Sequence, residues 1–428
     1  MNKLFDRIKF VYFILVIFTL LSCQLMRYYG VITNYITSIV ISILGLLGLI
    51  LYITDKILCK RKIDKYDIII YLLIFLGIIS CIFSINFKIS IFGFYGRNEG
   101  LLVIITYYIL FLNSKNMSNG KYRNVILNVM LLYALFHSLY AICQYIKPLE
   151  NLSLFGIMKS GRYSTGFESN SNFYSSIAII GLYISLCKSL FEKKKIGCIY
   201  IIISAVIFLG MLCSGTMSSS LTLFIMIPLI IMLLFVKRVD VISTFIRIII
   251  ICILFGLAYN IFNIYNRGYL VYQIDNMGNE IKNVSQGKIE ESYGTGRIRI
   301  WKETLKIVPK NIINGIGIDN FYYGFGNKRL IDEKSKFAVD KAHNEYLQKL
   351  ITEGIFSFIV YVILLLMVLM FGIKKIIKEK EINVVLISLV FSFMAYSIQA
   401  FFNISVICVA PIYYIIIGLI VGEVYETN

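Results

Sequence analysis

The sequence predicts an all-α polytopic membrane protein with about twelve transmembrane helices and one large extracytoplasmic loop. Hydrophobic residues make up 58% of the 428 positions and the mean hydropathy is +0.79, whereas a soluble domain usually has about 45–50% apolar residues. Charged residues are only 15% of the chain, and they gather in short clusters between apolar runs of roughly the ~20 residues that cross ~30 Å of hydrocarbon. Lys and Arg are concentrated in alternate clusters, as in other multispanning proteins.

The apolar runs give the order of the predicted helices along the chain. They lie near residues 10–27, 33–54, 67–86, 98–113, 124–146, 171–189, 196–213, 217–236, 247–263, 355–373, 382–401 and 403–422. Residues 1–263 are thus predicted to form a membrane domain of about nine spans, and residues 355–428 one of about three. The first apolar run is too long for a signal peptide, so it is predicted to remain as the first helix.

The distribution of basic residues predicts the orientation. If the N-terminus is inside, 22 of the 42 Lys and Arg fall in inner segments and six in the short outer loops. Positively charged flanks stay on the cytoplasmic side, so both termini are predicted to be cytoplasmic, in the cytoplasmic (inner) membrane. Residues 264–354 then form the large outer loop, which is exempt from the charge rule because of its length. The net charge of +18 follows from these flanks, and no basic stripe with interleaved aromatics predicts nucleic-acid binding.

Residue types within the spans disfavour two classes of site. The nine cysteines include no CxxC pair and none lies in the long loop, so neither disulfides nor a zinc site is expected. No cluster with the spacing of metal ligands occurs, and neither a metal nor a cofactor is predicted. The predicted spans also carry no acidic residue away from their ends. Ion-coupled transporters usually keep such a residue as their ion site, so coupled transport is disfavoured.

The long loop contains the pattern of an amphipathic helix from Gly296 to Val308, ended by Pro309. The apolar positions that recur on one predicted face are Ile298, Trp301, Leu305 and Val308. Such a helix is expected to lie on the membrane surface or on the ends of other helices. A Gly-rich turn follows at 314–320, and GxG in a loop is by itself weak evidence for anything beyond a turn.

A second loop helix is predicted to follow, with Asp340 as its N-cap and Gly354 at the junction with the tenth span. His343 would fall in its first turn, where the positive end of the helix dipole lowers the pKa of an imidazole and favours the neutral form. A neutral imidazole can act as a general base. Taken alone, however, an outer-loop histidine is more often an ordinary residue near lipid headgroups.

Three arginines, Arg162, Arg297 and Arg299, are also predicted to lie outside. Guanidinium groups bind phosphate oxygens in a planar, bidentate way that pH does not switch off. They would suit a pyrophosphate, although each taken alone is more often an ordinary loop or headgroup-contacting arginine.

Three stretches together resemble the O-antigen ligase and O-antigen polymerase family. They run from Arg162 to Phe173, from Gly296 through Pro309 to Gly317, and from His343 (HNEYL) to Gly354. The resemblance is best over about 160–370, and the first 150 residues are similar only in topology. It implies a GT-C-like, metal-independent, inverting glycosyltransferase that takes glycan from an undecaprenyl-pyrophosphate carrier on the outer face of the membrane.

The resemblance also implies roles for individual residues. His343 stands where the family keeps its essential histidine, and Arg162 with Arg297 or Arg299 where it keeps its essential arginines; which of the later two is equivalent stays open. Residues that could support this site are Asn172, Asn344, Glu345 and Tyr346.

Several functions remain open within this prediction. A polymerase would join lipid-linked repeat units, and a ligase would move finished glycan to a lipid or protein acceptor. The Ile-, Lys-, Asn- and Tyr-rich composition is typical of AT-rich Gram-positive genomes, which favours a polymerase of a cell-surface polysaccharide. The expected partners are an undecaprenyl-pyrophosphate oligosaccharide, its glycan, lipid or protein acceptor, and the bilayer. The alternative from another class is a transporter or flippase of lipid-linked sugars, and a sensor or scaffold leaves the HNEYL segment unexplained.

Overall fold

The computed structural model describes residues 1–146, 163–192, 194–237, 240–266, 269–326, 330–331 and 338–425. Fifteen α-helices form within these residues, and the only β pairing among them is an isolated bridge between Ile331 and Ala338. The helices are α1 (Asn2–Tyr28), α2 (Asn34–Leu58), α3 (Lys65–Ile82), α4 (Phe87–Phe92), α5 (Leu101–Lys115), α6 (Gly120–Tyr145), α7 (Ser171–Phe191), α8 (Lys194–Cys213), α9 (Met217–Val236), α10 (Val241–Asn266), α11 (Tyr269–Ser285), α12 (Arg297–Ile307), α13 (Glu345–Lys378), α14 (Val384–Gln399) and α15 (Ala410–Tyr425).

The prediction of an all-α polytopic membrane protein is confirmed. In the described part of the chain, nine helices are long and apolar enough to cross a membrane, and α5, α14 and α15 are shorter apolar helices. Each of the twelve predicted apolar runs overlaps one of these helices. The twelfth begins at Ala410 and not near residue 403, because residues 400–409 form an irregular segment.

The short helices lie in the middle of the bundle. Helix α15 packs against α5 and α14, and α14 packs against α7, whose apolar window is completely buried. A helix of 15 residues such as α5 reaches only about 22 Å at ~1.5 Å per residue, less than the ~30 Å of hydrocarbon. Irregular segments at 93–100 and 400–409 extend α5 and α15. Irregular backbone is tolerated at membrane depth where protein surrounds it.

The second predicted loop helix and the tenth span are one helix, α13, which is broken at Gly354. Gly354 has φ 83° and ψ 174°, and the irregular segment 312–317 hydrogen-bonds to the broken turn of the helix. Ile355 N donates to Ile312 O at 2.7 Å, and Ile316 N donates to Ile351 O at 2.9 Å. The break in α13 thus lies at Gly354, the residue at which the junction was predicted. The break lets the long loop satisfy backbone groups that the helix leaves open.

Replacing Gly354 with Ala is expected to destabilise the fold by about 3 kcal/mol or more, because a positive φ and a close contact coincide there. A Cβ on Gly354 would lie 2.0 Å from Ile313 O, a backbone atom that cannot move alone. The melting temperature of the purified protein in detergent measures this. Gly256→Ala in α10 is the control, since a Cβ there meets no atom within 4 Å. Equal melting temperatures for the two variants would show that the contact between segment 312–317 and the break at Gly354 does not stabilise the fold.

Candidate active site

The helix connections place two groups of charged side chains at opposite ends of the bundle. Near the start of α1, Lys9 pairs with Asp55 at the end of α2, with 2.7 Å between Nζ and Oδ2. Near the end of α1, Arg27 pairs with Glu168, with 2.6 Å between Nη2 and Oε2. The segment with His343 lies at the Arg27 end, because α13 and α5 both begin there. We call these two ends the Lys9 end and the His343 end.

His343 precedes α13 and is not in its first turn, so the predicted position is wrong. The N-cap is Asn344, whose side-chain oxygen accepts a hydrogen bond from Leu347 N at 3.0 Å, and not Asp340. His343 is half-buried and has φ 50°, a left-handed conformation that is uncommon for residues other than Gly, although Asn, Asp and His adopt it more often than the rest. The argument from the first turn of the helix dipole therefore does not apply to His343. Backbone of this kind is often found at functional sites.

Asp340 forms a bidentate ion pair with Arg97, which lies in the loop before α5. The distances are 2.6 Å from Nε to Oδ2 and 3.2 Å from Nη2 to Oδ1. Burial acts to raise the pKa of Asp340, but the hydrogen bonds and charge of Arg97, with further contributions from Lys341 and His343, outweigh it and lower the pKa. Asp340 is therefore a carboxylate that pairs with Arg97, three residues before His343.

Lys341 holds the same segment in the bundle. Its ammonium group is buried and lies 2.9 Å from Glu99 Oε2 and 3.1 Å from Asp319 Oδ1. Burial acts to lower the pKa of Lys341, but the charges of Asp319 and Glu99 outweigh it and raise the pKa. Asp319 also accepts hydrogen bonds from the backbone N of Phe94 and of Glu99. The Gly-rich turn is thus a packed part of this end of the bundle.

The predicted supporting residues mainly anchor helix ends. Glu345 accepts hydrogen bonds from the hydroxyl groups of Tyr361 and Tyr396, and Tyr346 donates to Ser397 O at 2.7 Å. Asn344 is the N-cap described above. Asn172 donates to the N-cap side chain of α7 through both its backbone N and its Nδ2. These contacts give each of the four residues a structural role.

The two arginines of α12 lie on a helix that contacts the His343 segment. Trp301 Nε1 donates to Ala342 O at 3.0 Å, one residue before His343. Arg297 Nη1 donates to Gly294 O and to Thr295 Oγ1, and no described carboxylate pairs with it. Arg299 Nη2 donates to Ile331 O. Arg162 lies outside the described residues, so its position relative to these two stays a prediction.

The buried face of α12 differs from the predicted one. Ile300 and Thr304 are buried, together with Val308 just beyond the helix, whereas Leu305 is 55% exposed. Thr304 Oγ1 donates to Ile300 O at 2.7 Å. Because its hydroxyl group is hydrogen-bonded within the helix, this small polar side chain can be buried. The prediction counted only apolar residues and so chose Trp301 and Leu305, each one position after the residues Ile300 and Thr304 that are buried.

Several charged residues at this end were not identified as site residues from the sequence. They include Arg27, Arg97, Lys341, Lys349 and Glu353. Lys349 and Glu353 form a buried i,i+4 pair with 2.6 Å between Nζ and Oε2, a spacing that was readable in the sequence. Arg97 had no local signal, because its partner Asp340 is 243 residues away.

Two small cavities open among these groups. The first, of about 60 Å³, is lined by Glu99, Lys341, Glu345, Lys349, Glu353 and Tyr361, among others. The second, of about 30 Å³, is lined by Arg27, Arg97, Glu99, Glu168, Phe173 and Ser405, among others. Both are large enough for water but not for a sugar ring, since one water needs ~10–15 Å³. Among the residues described, no three His, Cys, Asp or Glu side chains could hold a metal ion together.

A family model described as O-antigen ligase matches residues 199–362. The matched segment runs from α8 into α13 and contains Arg297, Arg299 and His343. No curated protein matches the chain. The match supports the resemblance that the later sequence motifs carry: this chain is a polytopic membrane protein in which residues 199–362 match the O-antigen ligase family.

Proposed function

We propose that this protein is a metal-independent, inverting glycosyltransferase that takes glycan from an undecaprenyl-pyrophosphate carrier on the outer face of the cytoplasmic membrane. The observation that carries the proposal is the arrangement at the His343 end. There, His343 follows Asp340, which Arg97 holds, and α12 brings Arg297 and Arg299 against the same segment through Trp301 and Ala342. All of these residues except Arg97 lie in the segment that matches the O-antigen ligase family.

The proposed reaction needs one general base and cationic groups that pair with the departing diphosphate. His343 removes the proton from an acceptor hydroxyl, whose oxygen attacks the anomeric carbon from the face opposite the leaving group. The bond from that carbon to the diphosphate oxygen breaks, and the electron pair leaves with the lipid diphosphate. Arg297 and Arg299, with Arg162 as a predicted third, would stabilise the charge that develops there. The proton on His343 then passes to solvent.

Orientation is part of the proposal. The strongly basic connections lie at the Lys9 end, where Lys115 pairs with Asp64 and Asp67 and where Lys62 is exposed. Because basic flanks stay in the cytoplasm, we propose that the His343 end faces outward with residues 264–354 outside, and that both termini lie inside. In this orientation His343 would face the side on which the proposed donor is used.

The flippase alternative has weaker support. A flippase would need polar or cationic groups along a path through the middle of the membrane. Here the buried ion pairs of the described residues lie near the two ends of the bundle. Lys9–Asp55 at the Lys9 end and Lys349–Glu353 at the His343 end are examples. The buried His137 within α6 is hydrogen-bonded to Gln24 at 2.8 Å, which favours a packing role.

The test is an assay of the purified full chain with a defined undecaprenyl-pyrophosphate oligosaccharide. We expect glycan transfer with release of the free lipid diphosphate, and equal rates with and without a chelator. Supplying either a second lipid-linked unit or a glycan-free lipid acceptor separates a polymerase, which we favour from composition, from a ligase. Movement of the intact lipid across vesicles without any transfer would reject the proposal.

Arg97→Gln is expected to lower the transfer rate at least tenfold while the protein still folds, because a displaced catalytic group can cost about 10²-fold. The variant removes the bidentate hold on Asp340, next to His343. Both partners are about one-fifth to one-quarter exposed, at 20% and 25%, so the loss of stability should be modest. Lys88→Gln at the same end is the control, since Lys88 is exposed. A normal rate with Arg97→Gln would show that Asp340 needs no such hold.

A further inference from the structure

A second site lies at the Lys9 end, remote from His343. A cavity of about 340 Å³ opens there between the loop after α2, the turn between α5 and α6, and the end of α15. Its lining residues are Arg61, Lys62, Asp64, Lys115, Asn116, Met117, Ser118, Gly422 and Tyr425. It is several times larger than the two cavities beside His343, and the proposed reaction uses none of these residues.

The cavity has an excess of positive charge. Three of its lining residues are cations and one is a carboxylate. That carboxylate, Asp64, already accepts hydrogen bonds from the backbone N of Tyr66 and of Asp67, and its other oxygen lies 2.6 Å from Lys115 Nζ. Lys62 is exposed, and no described acidic side chain pairs with it. The cavity can therefore accept an anion without displacing an internal ion pair.

Two donor nitrogens at the wall of the cavity have no acceptor. Nη2 of Arg61 and Nδ2 of Asn116 are buried and make no hydrogen bond to any described residue. Arg61 is held on its other side by Asp55, with 2.8 Å from Nε to Oδ2. A buried donor without an acceptor is destabilising, and ligand oxygens in this cavity would supply the missing acceptors.

We propose that this cavity binds the phosphate group of an anionic phospholipid, with Arg61 and Lys62 as its charged ligands. A guanidinium and an ammonium group together suit phosphate oxygens. The cavity lies where α2, α5 and α15 end, which is the cytoplasmic side in the proposed orientation, and basic pockets at cytoplasmic helix ends are a known form of lipid recognition. Tyr425, which is 37% exposed, and Met117 supply an amphipathic ring and an apolar wall for the glycerol portion.

The test measures lipid binding and does not use the transfer reaction, so it is independent of the proposed function. Delipidated full-length protein is titrated with phosphatidylglycerol in detergent, and bound lipid is counted by native mass spectrometry. Arg61→Gln combined with Lys62→Gln is expected to weaken binding roughly thirtyfold, about fivefold for each basic residue. Lys121→Gln is the matched control, because Lys121 is an exposed lysine at the same end, and it should bind as the unaltered protein does.

Two further measurements distinguish a lipid phosphate from free inorganic phosphate as the ligand of this cavity. Phosphatidylcholine, whose phosphate is balanced by choline, is expected to bind much more weakly than phosphatidylglycerol, and inorganic phosphate is expected not to compete at millimolar concentration. Lys62→Gln alone alters only an exposed side chain, so it tests the site even if the double variant fails to fold. Unchanged phosphatidylglycerol binding by Lys62→Gln, or full competition by inorganic phosphate, would overturn the proposal.

Discussion

His343→Asn is expected to lower glycan transfer by about 10²–10⁴-fold, the usual contribution of a positioned general base. Asparagine is the informative replacement, because it tolerates the left-handed backbone of this position, where φ is 50°. It keeps a polar side chain of similar reach but cannot take up a proton. His343→Ala should give the same loss of polymer, with an added strain from the backbone.

Abundance in the membrane separates chemistry from folding. His343 is half-buried and precedes the N-cap of α13, so neither variant removes a helix cap or a core side chain. We expect both to accumulate to the normal level and to have melting temperatures near that of the unaltered protein. Near-normal polymer in cells with His343→Asn would reject His343 as the base.

Replacing both α12 arginines, with Arg297→Ala and Arg299→Ala, is expected to lower transfer by about 10²–10³-fold, the size of effect seen when one or more groups that stabilise a developing anion are removed. The loss should appear with the diphosphate-linked donor as a lower kcat/KM. The single variants decide which arginine carries the larger part. Arg297 is the better candidate, because its Nε is buried without a hydrogen-bond partner among the described residues.

Lys306→Ala is the matched control on the same helix. Its side chain is 59% exposed and pairs with Glu303 three residues earlier, so it removes one positive charge without touching the His343 segment. Arg297→Lys adds a second comparison, since it keeps the charge but loses the planar fork. A double arginine variant that transfers glycan as fast as Lys306→Ala would exclude α12 from diphosphate binding.

The sequence was sufficient to predict the apolar helices and to single out Gly354, where α13 is broken. Apolar runs of membrane length report helices directly, and the glycine marks a backbone position that other residues rarely adopt. The start of α15 was misplaced, because residues 400–409 are apolar enough to continue a span. The structure instead uses Asn403 and Ser405 there to hydrogen-bond Ser176 and Glu99.

The candidate site could be predicted only in part. His343, Arg297 and Arg299 lie in local motifs, and the family match covers them. The pairs that position them join distant parts of the chain. Arg97 and Asp340 are 243 residues apart, and Lys341 and Glu99 are 242 apart. No periodicity within a short window reports such contacts, so these partners needed the structure.

The most direct test of the account is the side of the membrane on which α12 and the adjoining His343 segment lie. In a variant with the nine native cysteines replaced, a single cysteine is introduced as Lys306→Cys or as Lys62→Cys, both at exposed positions, and intact cells are treated with an impermeant maleimide. We expect Lys306→Cys to be labelled in intact cells and Lys62→Cys only after permeabilisation. Labelling of Lys306→Cys only after permeabilisation would place His343 in the cytosol, away from the lipid-linked donor, and would contradict the proposed function.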